Sequence, residues 1–173
     1  MNTPTHLLVA AALLARPGRK QVSRGALVGA LLPDLSLYVL VAAAATQGFS
    51  FKTIFDELYF SQSWQSVFAI DNSAPLYAAL LCAGLLLRFP FLWALAIGAL
   101  LHVALDLPLH HDDGRAHFWP FSDWIYRSPV SYWDPARFGS IVAMAELALS
   151  VALCVLLWRR FRTPRRGAQD ASG

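Results

Sequence analysis

The sequence is poor in charged residues. Only 14% of its 173 residues are Asp, Glu, Lys or Arg, whereas soluble domains typically contain about 25%, and 57% are hydrophobic. The hydrophobic residues also form long blocks instead of alternating with polar residues. A soluble domain of this length could not bury so much apolar surface. The composition therefore argues against a soluble protein and predicts one that is embedded in a membrane.

Cysteine and the common nucleotide-binding or nucleophile motifs are also scarce. Cys82 and Cys154 stand alone in separate apolar segments without a CxxC pair, so they are predicted to be small core residues and not a disulfide or a metal pair. No GxSxG or P-loop pattern is present. Because no internal repeat or low-complexity linker appears, residues 1–162 are predicted to form one domain, and residues 163–173 a polar, disordered cytoplasmic tail.

Long apolar segments make up most of the sequence. A helix needs roughly 17–25 residues to cross a bilayer, and four segments are near this length: 25–46, 73–87, 91–109 and 138–158. A further apolar segment, THLLVAAALLA, precedes these four and is shorter. Its basic residues follow the apolar stretch, whereas those of a secretory signal precede it. The segment is therefore predicted to be retained in the protein as a short or re-entrant membrane helix. The predicted fold is all-α, a polytopic membrane bundle of about five helices with two outer loops.

The charged residues are distributed unevenly between the two predicted sides of the membrane. The segments assigned to the cytoplasm hold ten basic residues against Asp170 alone, while residues 47–72 and 110–137 hold four basic and seven acidic residues. Basic residues near a membrane favour the cytoplasmic side. This predicts a cytoplasmic C-terminus and two outer loops. The basic pI then reflects topology, and nucleic acid is not a predicted partner.

Three carboxylates interrupt the apolar segments, namely Asp34, Asp106 and Glu146. A carboxylate in a bilayer costs roughly 2.5–3.5 kcal/mol even on lenient scales, unless it is paired, hydrated or bound to a metal. Asp34 lies in the middle of the second segment, directly after Pro33, which disfavours a regular helix. Asp106 follows His102 by four residues, so a helix would place both on one face. The pair is predicted either to bind zinc or manganese or to form a simple polar contact.

The predicted topology brings further polar residues to the same outer side. The candidate metal ligands are His6, Asp34, Asp71, His102, Asp106, His110 and His111. The candidate catalytic residues are Asp112 and Asp113, which would orient or deprotonate a water, and His117, which would protonate a leaving group or bind a second ion. The alternatives are a solvated turn for HHDDGR and an interfacial position for His117. Glu146, in the last apolar segment, is predicted to hydrogen-bond a neighbouring helix.

Four motifs, TPTHLLVAAALL, GALLPDL, HVALD and HFWPF, occur in the order in which they resemble the membrane-bound metal-dependent hydrolases of bacterial inner membranes. That family is distantly similar to zinc-dependent phospholipase C. The resemblance covers roughly residues 3–121 and implies a helical membrane bundle with a metal centre. It implies roles as metal ligands, or in support of the ligands, for His6, Asp34, His102 and Asp106.

The sequence departs from this family at two places. Ser36 stands where many members have a second aspartate, and AIDNSAPLY replaces a central histidine motif. Asp71 would offer an oxygen ligand there. These departures imply either a subfamily with rearranged ligands or a member that has lost catalysis.

Together these features predict a multi-pass protein of the bacterial inner membrane whose site faces the outer side. The predicted activity is divalent-metal-dependent hydrolysis of a lipid-linked or membrane-proximal ester, with a phosphoester favoured and zinc preferred over manganese. Membrane lipids or a lipid-linked small molecule are the predicted partners. Two alternatives stay open: a non-catalytic scaffold with a structural metal, and a proton-coupled transporter with a relay through Asp34, Asp106 and Glu146. The sequence does not indicate an oligomeric state.

Overall fold

A computed structural model describes residues 1–162, and all regular structure in that range is helical. The helices are, in order, α1 (Thr3–Leu14), α2 (Lys20–Thr46), α3 (Phe51–Thr53), α4 (Gln62–Asp71), α5 (Ala74–Leu86), α6 (Pro90–Asp106) and α7 (Gly139–Arg162). A π-helical segment (Ile54–Leu58) follows α3, and 3₁₀ turns follow α6 (Leu107–Leu109) and precede α7 (Pro135–Arg137). The prediction of an all-α fold is therefore confirmed for these residues. The predicted tail at 163–173 lies outside them.

Four helical stretches are long and apolar enough to cross a membrane. They are α2, the stretch Gln62–Leu86 formed by α4 and α5, the stretch Pro90–Leu109, and α7. The apolar helix α1 has only 12 residues. The described part of the chain thus has four helices of membrane length and one short helix, where the sequence predicts about five membrane helices. The predicted outer loop 47–72 is itself largely helical, since it contains α3, the π-helical segment and α4.

Small residues let α2 and α6 pack closely. A β-carbon added at Gly29 would overlap the carbonyl oxygen of Leu95, and one at Gly98 would overlap that of Ala26. Gly25 precedes Gly29 by four residues and makes a similar approach to α6. Small residues at this spacing are typical of helix pairs in membranes, where close approach adds van der Waals contact. The crossing presses the backbone of α2 against the face of α6 that carries the predicted ligands.

Polar contacts at both of its ends fasten α1 to α7. The Glu146 carboxylate accepts hydrogen bonds from the Asn2 backbone N–H at 2.8 Å and from the Thr5 hydroxyl at 2.7 Å. At the other end, Arg160 donates to the carbonyl oxygen of Ala12 at 2.6 Å. A negative charge at the start of a helix and a positive charge at its end both complement the helix dipole. Glu146 therefore bonds a neighbouring helix, as the sequence predicts.

The outer surface of the bundle is apolar. On α7, several large side chains are more than half exposed, namely Met144, Leu147, Val151 and Trp158. Cys82 and Cys154 are free and exposed on α5 and α7, so their predicted place in the core is wrong. The sequence could not distinguish the two faces of these uniformly apolar helices. Exposed apolar surface of this extent is unusual for a soluble monomer and is compatible with lipid contact.

The shortness of α1 leaves room for a cavity. At 1.5 Å per residue, α1 is about 18 Å long and α2 about 40 Å. The first turn of α1 reaches only the middle of α2, where the Thr3 hydroxyl lies 2.5 Å from Asp34 Oδ2. Beyond that turn lies a cavity of about 500 Å³, bordered by the second half of α2, the π-helical segment and the loop before α7.

Candidate metal centre

The end of α6 carries the first predicted ligand pair. His102 and Asp106 are both buried, and His102 Nε2 lies 3.1 Å from Asp106 Oδ2. The close crossing with α2 places the carbonyl oxygen of Ala30 2.7 Å from His102 Nδ1. Because a carbonyl oxygen only accepts hydrogen bonds, this contact places a proton on Nδ1 and fixes the orientation of the ring.

The short helix α1 brings His6 to the same carboxylate. His6 Nε2 lies 2.9 Å from Asp106 Oδ1. The imidazole rings of His6 and His102 stack with their centroids 3.6 Å apart and their planes 9° from parallel. One potential ligand atom from each of the three residues lies within 4.8 Å of the other two. Folding thus joins the beginning of the chain to the end of α6.

His102 Nε2 is buried and has no hydrogen-bond partner. With a proton on Nδ1, the neutral ring presents a lone pair at Nε2. Its nearest charged neighbours are Asp106 Oδ2 at 3.1 Å and Asp34 Oδ1 at 3.6 Å, both of which are acceptors. The ring nitrogen and the two carboxylate oxygens thus direct lone pairs at one another in a buried place. This arrangement costs free energy unless a cation lies between them, which is either a second proton on the ring or a metal ion. The residues therefore fit a metal ion.

His110 contributes another nitrogen on the side of the loop. Its Nε2 is buried without a hydrogen-bond partner and lies 3.4 Å from Asp106 Oδ2. Its Nδ1 lies 2.9 Å from Asp113 Oδ2. A carboxylate behind a ligand histidine is common in metal sites, because it orients the ring and makes the coordinating nitrogen more basic. Asp113 therefore lies where it can support His110, and this position differs from the direct contact with water that the sequence predicts for it.

The electrostatics of this loop favour a cation. Burial lowers the pKa of His110, but its contacts with Asp106 and Asp113 outweigh burial and leave the pKa above its ordinary value. Burial likewise raises the pKa of Asp113, but its contact with His110 leaves that pKa below the ordinary range. The negative charge that retains a proton on His110 would also attract a divalent cation.

Asp34, on α2, is the second carboxylate of the group. Its Oδ1 faces His102, while its Oδ2 accepts the hydrogen bond from Thr3. The amino group of Met1 lies 2.7 Å from Asp106 Oδ1 and is a cationic neighbour of that carboxylate. The group as a whole offers three imidazoles and two carboxylates, a set of donors that suits zinc or manganese. Its members are His6, His102, His110, Asp34 and Asp106.

No protein-family model matches the chain, and no match was found among curated proteins or solved structures. The resemblance to membrane-bound metal-dependent hydrolases therefore stays a prediction that rests on the motifs. The four positions that it singles out, His6, Asp34, His102 and Asp106, lie together in the structure.

Two predicted site residues on the loop after α6 point away from this group. His111 Nδ1 lies 2.5 Å from the carbonyl oxygen of Ser128, so His111 holds the loop before α7. The side chain of Asp112 is 64% exposed and lies beside His111. The structure therefore places neither residue where a shared metal ion or an attacking water would be.

The other two predicted residues outside the group, Asp71 and His117, surround Asn72 at the break between α4 and α5. Asp71 Oδ1 accepts a hydrogen bond from the Asn72 amide at 2.7 Å, and His117 Nδ1 lies 3.3 Å from the Asn72 carbonyl oxygen. Burial lowers the pKa of His117. No hydrogen bond or ion pair joins Asp71 or His117 to the metal-binding group within residues 1–162.

Arg115 is the residue of this region that the sequence patterns did not single out. It is buried, it lines the cavity, and its Nη1 donates to the carbonyl oxygen of Pro33 at 2.9 Å. Tyr59 and Tyr132 line the same cavity. The available signal was one basic residue inside HHDDGRAHF, on a predominantly acidic side of the protein. Nothing in that pattern shows that the loop folds back into the bundle.

Proposed function

We propose that this chain is a multi-pass protein of the bacterial inner membrane that binds a divalent metal ion and hydrolyses a lipid-linked or membrane-proximal ester, with a phosphoester favoured. The ion, zinc or manganese, would be held by His6, His102 and Asp106 with His110 and Asp34 close by. The observation that carries the proposal is the buried, partnerless Nε2 of His102 between two carboxylates.

The apolar helices and the charge pattern support the location and the orientation. Four stretches have the length and hydropathy of membrane spans, and large apolar side chains face outward. The basic residues cluster at the ends of α1, α2, α5 and α7 that are opposite the metal-binding group. The positive-inside rule then favours a cytoplasmic C-terminus and a centre in the outer half of the membrane.

The surroundings of the group suit hydrolysis. A bound divalent ion would acidify a water molecule and stabilise negative charge on the oxygens of an ester. Asp34 lies beside His102 and also lines the cavity, so its carboxylate is placed to accept a proton from that water. The cavity has room for a small ester, and its apolar wall, which includes Leu37 and Phe60, suits the lipid part of a substrate.

The proposal is tested by metal analysis and hydrolysis with the same preparations. The full-length protein, purified in detergent through a C-terminal tag, is stripped with a chelator, reloaded with Zn²⁺ or Mn²⁺ and freed of excess ion. Wild type is compared with His102→Ala and Asp106→Ala, and with His111→Ala as a matched histidine outside the group. We expect bound metal and phosphoester hydrolysis in wild type and His111→Ala, and the loss of both in the other two variants.

Two results would count against the proposal in different ways. Equal, negligible metal in all four proteins would refute the metal centre. Bound metal without hydrolysis of any phosphate mono- or diester, together with a melting temperature that falls on chelation, would refute the hydrolase and favour a scaffold with a structural ion.

A further inference from the structure

We propose that Arg115 is the anion-binding residue of the cavity and receives a phosphate oxygen of an amphiphilic ligand after the metal ion has bound. This inference rests on the proposed metal-dependent function and narrows its substrate to a molecule with an anionic phosphate head and an apolar body. The chemistry of recognition is a guanidinium facing a phosphate beside a divalent ion.

Arg115 is a buried charge whose known contacts leave part of it unsatisfied. The residue is 6% exposed and lines the cavity. Its Nη1 donates to the carbonyl oxygen of Pro33, whereas its Nε is buried without a hydrogen-bond partner. A buried guanidinium normally has its donors paired, because desolvation of an unpaired donor is costly. Nε is enclosed by protein, so a ligand would meet another part of the guanidinium. Within residues 1–162 the nearest carboxylate is beyond hydrogen-bond distance, and the positive charge therefore lacks a close counter-charge beside the cavity that the residue lines.

Asp34 is the nearest carboxylate but does not complete the pairing. Arg115 Nη1 lies 3.9 Å from Asp34 Oδ1, which is beyond hydrogen-bond distance. Asp34 already accepts from Thr3 through Oδ2 and faces His102 through Oδ1. The carboxylate is thus engaged by the metal-binding group, and Arg115 stays available on the side of the cavity.

The guanidinium packs against a buried aromatic ring. Its central carbon lies 4.8 Å from the centroid of the Phe68 ring, which is fully buried. Nearby, the Tyr59 hydroxyl donates to the backbone carbonyl of Asp113 at 3.0 Å and so fixes the loop that follows His110. Burial lowers the pKa of Arg115, but neighbouring Tyr59 and Asp34 outweigh burial, and the side chain stays positively charged. A charged, planar fork beside the cavity suits a tetrahedral anion.

The charge around the cavity makes anion binding depend on the metal. Four carboxylates line the cavity: Asp34, Asp56, Asp106 and Asp113. They outnumber the cations at the same cavity, which are Arg115, the Met1 amino group and a protonated His110. The net negative charge repels a phosphate, and a bound divalent ion would offset that charge. Metal and anion should therefore bind with positive cooperativity, each raising the affinity for the other by the same factor.

The apolar wall of the cavity indicates an amphiphile in preference to free phosphate. Leu37, Phe55, Phe60 and Trp133 line the cavity, and the last three are also exposed on the outer surface of the protein. The cavity is thus continuous with an apolar surface at the level of the outer loops. A lipid could place its head at Arg115 while its chains lie against these side chains.

The experiment measures binding, so the phosphatidic acid is used as its non-hydrolysable phosphonate analogue, in which a methylene group replaces the ester oxygen. Protein stripped of metal and protein loaded with Zn²⁺ are titrated by calorimetry with this dihexanoyl phosphatidic acid analogue, inorganic phosphate and dihexanoylglycerol. We expect tight binding of the phosphatidic acid only with Zn²⁺, weaker binding of phosphate, and little binding of the neutral lipid. Arg115→Gln should bind the phosphatidic acid roughly 10- to 100-fold more weakly, because hydrogen bonds to charged groups are lost, and should still bind Zn²⁺. Arg127→Gln, on an exposed part of the same loop, is the control and should bind like wild type.

Each other outcome decides a separate point. Zn²⁺ binding without any preference for phosphatidic acid over dihexanoylglycerol would overturn this inference and leave the metal centre intact, whereas absence of Zn²⁺ binding would overturn the proposed function itself. Wild-type affinity in Arg115→Gln would also overturn the inference. Equal affinity for phosphate and phosphatidic acid would support the anion site and overturn the amphiphile. If Arg115→Gln does not fold, Arg115→Lys replaces it: this variant keeps the charge but loses the planar fork, and wild-type affinity for phosphatidic acid in it would overturn the inference.

Discussion

Substitution of Asp113 distinguishes between two roles for its carboxylate, which contacts the ring of His110. The sequence places Asp113 among the candidates that act on water, whereas in the structure its Oδ2 lies 2.9 Å from His110 Nδ1 and accepts a hydrogen bond from Trp133 Nε1 at 3.0 Å. If Asp113 supports a ligand, Asp113→Ala should weaken metal binding. If it acts on water, the same change should spare metal binding and abolish only hydrolysis.

The expected magnitude follows from the contacts that are lost. Without Asp113, the ring of His110 loses the partner that orients it and makes Nε2 more basic. Loss of such a carboxylate behind a ligand histidine typically weakens metal binding 10- to 100-fold, or by about 1.4–2.8 kcal/mol. Asp113→Ala should therefore raise the dissociation constant for Zn²⁺ by that factor, and Asp113→Asn by less, because an amide oxygen still accepts the hydrogen bond.

The assay is competition for Zn²⁺ between the detergent-solubilised protein and a chromophoric chelator. Asp112→Ala is the matched control, since that carboxylate is 64% exposed and lies beside His111, and its removal should leave Zn²⁺ affinity unchanged. Circular dichroism checks that both variants keep their helical content. An unchanged affinity in Asp113→Ala would refute the supporting role, and an equal loss in Asp112→Ala would show that the effect arises from general disruption of the loop.

Two further predictions concern the bundle. Glu146→Ala removes the acceptor of the Asn2 N–H and should destabilise the protein by about 1–3 kcal/mol, which would lower its melting temperature in detergent. Glu57→Ala, on the surface, is the control and should not lower it. Equal melting temperatures of the two variants would contradict the role of the Glu146 contact. In a chain without its native cysteines, Gln47→Cys should react with a membrane-impermeant maleimide added outside cells, and Gln21→Cys should react only after permeabilisation. The reverse pattern would invert the proposed orientation.

Helical spacing was sufficient to predict the pair on α6. His102 and Asp106 are four residues apart in an apolar segment, so their common face follows from the geometry of the helix. The same spacing reaches His110, because the chain continues as a 3₁₀ turn through Leu107–Leu109 although Pro108 interrupts the α-helix. His110 therefore keeps its contact with Asp106, while the next residue points to Ser128.

The contacts between helices could not be predicted from spacing. His6 meets Asp106 because α1 is short and parallel to α7, and Asp34 meets His102 because small residues bring α2 close to α6. Sequence periodicity describes one helix at a time. The predicted topology placed these residues on one side of the membrane, and the resemblance to a family singled out the same four positions, but neither predicted which side chains would be in contact. Arg115 had neither signal, because its burial depends on how the loop after α6 folds.

The construction of α1 links the stability of the bundle to the metal centre. This helix is too short to cross a bilayer alone, and contacts with α7 hold it at both ends. Its first turn supplies His6 to the centre and also ends where the cavity begins. A metal ion that binds only when α1 is docked must stabilise the docked state, by an amount set by its concentration relative to its dissociation constant. Weakening the Glu146 contacts should then lower metal affinity, although no hydrogen bond or ion pair joins Glu146 to His6, His102 or Asp106 among the described residues.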